Sequence, residues 1–191
     1  MPPKPRITRE MILQAAFAIA REAGIGAVNA RSVSARLGCS TQPVLYCFAG
    51  MEELRQEVYR MADEMHSQYL MCLAPEQNPL IGLGLNYIRF AREERELFRL
   101  LFQSDGFGGR GVSELLEMEE MAPVLGILAQ EAGLSMEQSR RAFLMLLMLV
   151  HGWASMLANN TMEYDEEQIV PTLEMAFMGM VGMMKQEGMN E

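Results

Sequence analysis

The stretch VNARSVSARLGCSTQPVLYCFAGMEEL, residues 28–54, decides the fold. Asn29 is a strong N-cap residue, and the helix it opens runs to Leu37. Gly38 supplies the left-handed backbone that closes such a helix. Ser40 or Thr41 is placed to cap the next helix. Pro43 is tolerated in its first turn, where an amide needs no intrahelical partner. Gly50 ends it. Two short helices joined by a tight turn of small residues spell a helix-turn-helix, whose second helix offers its N-terminal end to a major groove. In that helix Val44, Leu45 and Phe48 read as inward-facing, and Thr41, Gln42 and Tyr46 as outward-facing. Gln42 suits a bidentate contact to adenine, and Thr41 a base or a phosphate.

Outward from this stretch the chain reads as helix throughout. Apolar residues recur at three and four, almost nothing alternates with period two, and glycine or proline marks the breaks. TREMILQAAFAIAREAG, residues 8–24, forms a first helix capped by Thr8 and stopped by Gly24. Beyond residue 50 the pattern predicts helices over 52–73, 80–93, 95–103, 112–132, 136–158 and 166–186. The fold class is all-α with about nine helices. A DNA-binding domain falls in residues 1–51 and a helical sensing and dimerisation domain in 52–191. APEQNP (74–79) is a further break, and SDGFGGRG (104–111) is a loop whose four glycines make it mobile.

The charge distribution agrees with a nucleic-acid partner. The 191-residue chain has a formal net charge of −9, but residues 1–50 hold six basic and two acidic side chains. The remainder holds 10 basic and 23 acidic ones. A basic head on an acidic body is the pattern of a polyanion-binding segment. The three cysteines, Cys39, Cys47 and Cys72, have no metal-ligand spacing and read as reduced thiols of a cytoplasmic protein. The N-terminal MPPKPRITRE lacks the apolar core of an export signal. AFLMLLMLVHGWASMLA (142–158) is broken by His151, Gly152 and Ser155, which argues for a buried or interface helix and against a membrane span. The 19 methionines read mostly as adaptable core filler.

Residues 8–54 resemble the TetR family of bacterial transcriptional regulators. The resemblance is carried by the first helix, by Asn29 at the cap and Arg31 after it, by the turn Gly38-Cys39-Ser40, and by Phe48 and Leu54 in register beyond. Two positions depart from the pattern. The tyrosine that in the family contacts a phosphate falls at Leu45, with Tyr46 one place later, and Met51 stands where a lysine is usual. The resemblance implies a repressor that binds double-stranded operator DNA as a homodimer. Asn29, Arg31, Ser40, Thr41, Gln42, Pro43 and Tyr46 are the candidate DNA contacts. LVHGWASML (149–157) resembles a stretch on the penultimate helix of some members. The resemblance further implies that the last two helices pair with their copies. Ile169, Leu173, Ala176, Phe177, Met180 and Met184 form the broad face of the second, and Phe177 is expected in the seam.

A small-molecule effector, apolar or cationic, is expected within a cavity lined by aromatics. Tyr87, Phe98, Phe102, Phe143, His151 and Trp153 are the candidates, and His66 reads as an exposed helix residue. No cofactor or metal site is expected. Two histidines without a phosphate loop or a metal-binding pair argue against an enzyme. The eight-residue spacing of Cys39 and Cys47 is too long for a disulfide along one helix. The remaining alternative is an architectural or adaptor DNA-binding protein without an effector.

Overall fold

The computed structural model describes residues 7–74, 78–104, 117 and 119–188. Among them the chain forms nine α-helices and no strand. They are α1 (Arg9–Ala23), α2 (Ala30–Leu37), α3 (Gln42–Cys47), α4 (Met51–Met71), α5 (Pro79–Glu93), α6 (Arg95–Phe102), α7 (Ala122–Ala132), α8 (Met136–Asn159) and α9 (Glu166–Gly188). The stop and start signals lie where the sequence places them, because caps are local chemistry. Thr8 Oγ1 accepts from the Met11 amide at 3.2 Å. At α8, Ser135 Oγ accepts from the Gln138 amide and Gln138 Oε1 from the Ser135 amide, a reciprocal capping box. Within the stretch expected as a helix over 112–132, the described residues form a 3₁₀ turn at Glu119–Met121 and α7 from Ala122. Residues 105–116, with the glycines of 105–111, and residue 118 lie outside the described residues.

The helices pack as two compact units, one of residues 1–67 and 94–106, the other of 68–93 and 107–191. In the first, α1 buries Ile12, Leu13, Ala15, Ala16, Ile19 and Ala20. Val33, Val44, Phe48, Leu54, Val58 and the α6 residues Leu97 and Phe98 are also buried. Arg21 of α1 forms a bidentate ion pair with the buried Glu94 at the start of α6. Arg9 binds Glu53 and Glu57 of α4 and lies 4.4 Å from the centre of the Phe48 ring.

In the second unit α5 is the central helix. A Cβ at Gly84 would lie 3.2 Å from Val150 Cγ1 and 3.4 Å from Leu173 Cδ1, so glycine permits close packing against α8 and α9. Leu80, Leu83, Leu128, Ala132, Leu134, Ala142, Met180 and Met184 form its core cluster. Gln138 Nε2 donates to the Met184 carbonyl at 2.8 Å, tying the start of α8 to the end of α9.

Three sequence expectations are corrected here. His66 is not exposed: it is buried in the first unit, with Phe102 edge-on at 4.9 Å. The face of α9 expected in the dimer seam is turned inward instead. Ile169, Leu173, Met180 and Met184 are buried within the protomer, and Phe177 packs against the same core cluster. Methionine is also more than core filler. Met136, Met145, Met148 and Met156 of α8 and Met175, Met178 and Met183 of α9 are exposed.

Burial lowers the pKa of His66 from 6.5 to about 4 and that of His151 in the same direction. The unfolded chain therefore binds protons that the folded one does not. Stability is full above about pH 6.5 and falls as the pH drops toward 4, by roughly 3 kcal/mol for a shift of this size at His66. Ion-paired carboxylates such as Glu22 and Glu53 titrate below 4.5, outside the upper part of this window. Urea denaturation at pH 7 and pH 5 should show about 2 kcal/mol of this loss, and His66→Gln should flatten most of it. A wild-type stability unchanged between the two pH values would contradict the assignment.

Candidate nucleic-acid interface

The turn between α2 and α3 is set by one residue. Gly38 lies at φ 63°, ψ 33°. Its amide bonds to the Ala35 carbonyl, while the Cys39 amide bonds to the Ser34 carbonyl at 3.0 Å. This double closure ends α2 and sets the chain off toward α3. At the other end of α2, Asn29 Oδ1 accepts from the amides of Arg31 and Ser32, both at 3.1 Å. Asn29 Nδ2 donates to the Ala27 carbonyl. The polar atoms of Asn29 are thus engaged in capping the start of α2, where Arg31 sits.

α3 is only six residues long and buries one stripe. Val44 is 1% exposed and Phe48, just past its end, 4%. Gln42 is exposed, Leu45 is 58% exposed and Tyr46 81%. Ser40 is exposed, and Thr41 and Pro43 are half-buried. Leu45, expected inward, is therefore an outward residue. Val44 and Phe48 are four apart and share a face, so the residue after Val44 is carried about 100° round the helix. Tyr46 does not stack on α4. Thr41 makes no capping bond with its side chain, since its backbone is already helical at φ −71°, ψ −16°.

Ion pairing separates the arginines. Arg9, Arg21, Arg36, Arg55 and Arg60 each pair with a glutamate. Among the described residues 7–67, Arg31 alone has no carboxylate partner, and it is exposed. The basic head of the sequence is largely neutralised in the fold. By sequence the first unit holds ten basic and ten acidic side chains: Arg9 meets glutamates of α4, Arg21 meets Glu94 just before α6, and Arg36 meets Glu22 of α1.

The aromatic candidates are divided between the units. Phe98, fully buried, and Phe102 pack on each other at 5.1 Å in the first unit, beside His66. Tyr87 and His151 meet in the second. The Tyr87 hydroxyl lies 3.0 Å from His151 Nδ1, and Ser155 Oγ lies 3.2 Å from Nε2. Burial lowers the His151 pKa and raises that of Tyr87. A neutral imidazole donates at one of these nitrogens and accepts at the other, and both hydroxyls can serve either role. Ser155 is the member of this chain that the sequence did not single out. Phe143 packs against the core cluster, and Trp153 is half-buried on α8.

An open cleft of about 310 Å³ is lined by Tyr69, Cys72, Asn86 and Arg89. Its polar groups are internally bonded. Tyr69 donates to Glu93, Asn86 to the carbonyls of Leu70 and Cys72, and Arg89 to Glu166. Among the described residues no group of three histidine, cysteine or acidic side chains is placed to hold a metal ion.

An outward-facing second helix on a three-helix head, together with a separate all-helical body, defines a helix-turn-helix regulator. The comparisons with known proteins identify the family. The family described as "Tetracyclin repressor-like, C-terminal domain" matches residues 80–181. The chain belongs to the TetR family of transcriptional regulators. Its fold is similar to that of the multidrug binding protein EbrR, solved in complex with imidazole. That similarity has a TM-score of 0.58 at 19% identity and covers 90% of this chain and 95% of that one. No curated protein matches the chain by sequence.

Arg31→Ala should weaken binding to every duplex and lower the slope of log K against log salt by ~0.9, one phosphate's share. Arg36→Ala, which removes a side chain already paired with Glu22, should change the slope far less. Equal effects of the two substitutions in a salt titration would contradict the distinction.

Proposed function

We propose that this regulator is a repressor that binds operator DNA as a homodimer and is released by a small apolar or cationic ligand. Residues 1–51 read the DNA, through Arg31, Ser40, Thr41, Gln42, Pro43 and Tyr46, with Asn29 in support. Residues 52–191 sense the ligand and dimerise, and the protein acts in the cytoplasm. One observation supports the DNA-binding half above others. The outward face of α3 keeps Gln42, Leu45 and Tyr46 free of the protein core, in the same head as the one described arginine that no glutamate neutralises.

The dimer reading draws on the free faces of the last two helices. Met145, Met148, Gly152 and Met156 follow one another at intervals of three and four along α8, all exposed. On α9, Met175, the pair Met178 and Gly179, and the pair Gly182 and Met183 recur with helical spacing and are all exposed. α8 is long and apolar enough by length and composition to cross a membrane, yet only 28% of its most apolar window is buried in the protomer. A second copy covering this face satisfies that surplus, and small residues beside flexible thioethers allow close helix contact.

Met178→Arg should place an unpaired charge in that seam and give monomers that keep their helical content. Phe177→Arg should instead disrupt the protomer's own core and lower its melting temperature. Sedimentation of Met178→Arg as an ordinary dimer would move the interface elsewhere.

The sensing reading draws on the chain Tyr87–His151–Ser155, buried at Tyr87 and half-buried at His151 and Ser155, with Trp153 and Phe143 on the same helix as His151. Apolar walls with a few oriented polar groups are the composition of small-ligand sites. That a protein of similar fold is described as multidrug-binding is in keeping with it. A ligand releases operator only to the extent that it prefers one conformation, and tenfold release needs about 1.4 kcal/mol of preference. In a fluorescence-anisotropy titration, an aromatic cation should weaken operator binding tenfold or more. Trp153→Ala should blunt that response with DNA affinity intact. A broad panel of apolar and cationic compounds that left operator affinity untouched would overturn the sensing half.

A further inference from the structure

We propose that Leu45 reads sequence, by packing against the C5-methyl group of a thymine in the major groove. The inference rests on the DNA-binding reading above and adds a specificity-determining residue to it. Leu45 is the only leucine among the described residues that is exposed. Every other described leucine is buried or half-buried, as expected for a side chain whose transfer from water is favourable. Nothing in the fold needs Leu45 where it is, because Val44 and Phe48 already anchor α3.

Chemistry narrows what Leu45 can meet. It has no donor or acceptor, so it cannot replace a phosphate-binding tyrosine, nor read the hydrogen-bonding edge of any base. The apolar feature that distinguishes base pairs in the major groove is the thymine methyl. Gln42, three residues earlier on the same outward face, has the amide that suits adenine. Side chains three apart on a helix lie about 5–6 Å from each other, and stacked base pairs about 3.4 Å. The two contacts therefore fall one or two base pairs apart. Tyr46, four residues after Gln42, and the unpaired Arg31 are left to the backbone, so α3 reads a short A/T-containing step.

The test uses the full-length protein and an operator duplex selected from a random pool. Each thymine is replaced in turn by deoxyuridine, which removes one methyl and leaves the pairing edge intact. At one or two thymines per half-site, within two base pairs of the position whose preference Gln42→Ala relaxes, wild type should bind about fourfold more weakly. Leu45→Ala should bind the thymine and deoxyuridine duplexes equally at those positions. Its unchanged melting temperature would show that the fold is intact. Undiminished deoxyuridine sensitivity in Leu45→Ala would overturn the proposal, as would the absence of any sensitive thymine for wild type. A uniform loss by Leu45→Ala across all duplexes would place Leu45 on sugar carbons and overturn it equally. Failure to enrich any duplex from the pool would instead overturn the DNA-binding reading on which the proposal stands.

Discussion

A six-residue helix can bury one stripe and no more, and the DNA-reading head is built around that limit. Val44 and Phe48 occupy the buried stripe of α3. Gly38 holds the left-handed backbone that lets the chain turn from α2 into α3. Arg9, clamped between Glu53 and Glu57 and set over the Phe48 ring, fastens the far end. With both ends fixed, Gln42, Leu45 and Tyr46 have nowhere to go but outward. A side chain larger than hydrogen at Gly38 would have to adopt a strained backbone, and the outward set would lose its orientation together with the turn.

Charge enters as a second, subtler constraint. Read along the chain, the first 50 residues are a basic segment. In the fold Arg9, Arg21 and Arg36 are matched by Glu53 and Glu57, Glu94 and Glu22, and the first unit is neutral by count. Such a unit has little long-range pull on a polyanion, so the proposed recognition rests on short-range contacts from Arg31 and the outward face of α3. The ion pairs have their own structural task. Arg21 and the buried Glu94 join α1 to α6 within the same unit, where replacing one partner would strand the other's charge.

Much of this architecture was legible in the sequence. Helix ends are announced by residues acting on their own backbone, so Thr8, Asn29 and Gly38 could be read one at a time. What stayed hidden depends on which side of a helix faces its neighbours. Leu45 looks like core by composition and is placed outside by the register of Val44 and Phe48. His66 looks like a surface residue and is buried against Phe102. The apolar face of α9 that looked like a dimer seam is held by its own protomer, since α5, with Gly84, approaches closely enough to cover Leu173. The methionines left over on α8 and α9 then mark the free surface. Methionine reveals little by sequence, because it serves core and interface alike. The pairing of Tyr87 with His151, 64 residues apart, was within reach only as two separate candidates; the Ser155 contact needed the helix itself.

Selection of duplexes from a random pool by the full-length protein tests the central claim most directly, because it reports binding, sequence preference and symmetry together. A homodimer presenting two copies of α3 should enrich an inverted repeat whose half-site centres lie one helical turn, about 34–36 Å, or a multiple of it apart. Absence of enrichment, or enrichment of a single asymmetric half-site, would contradict the account.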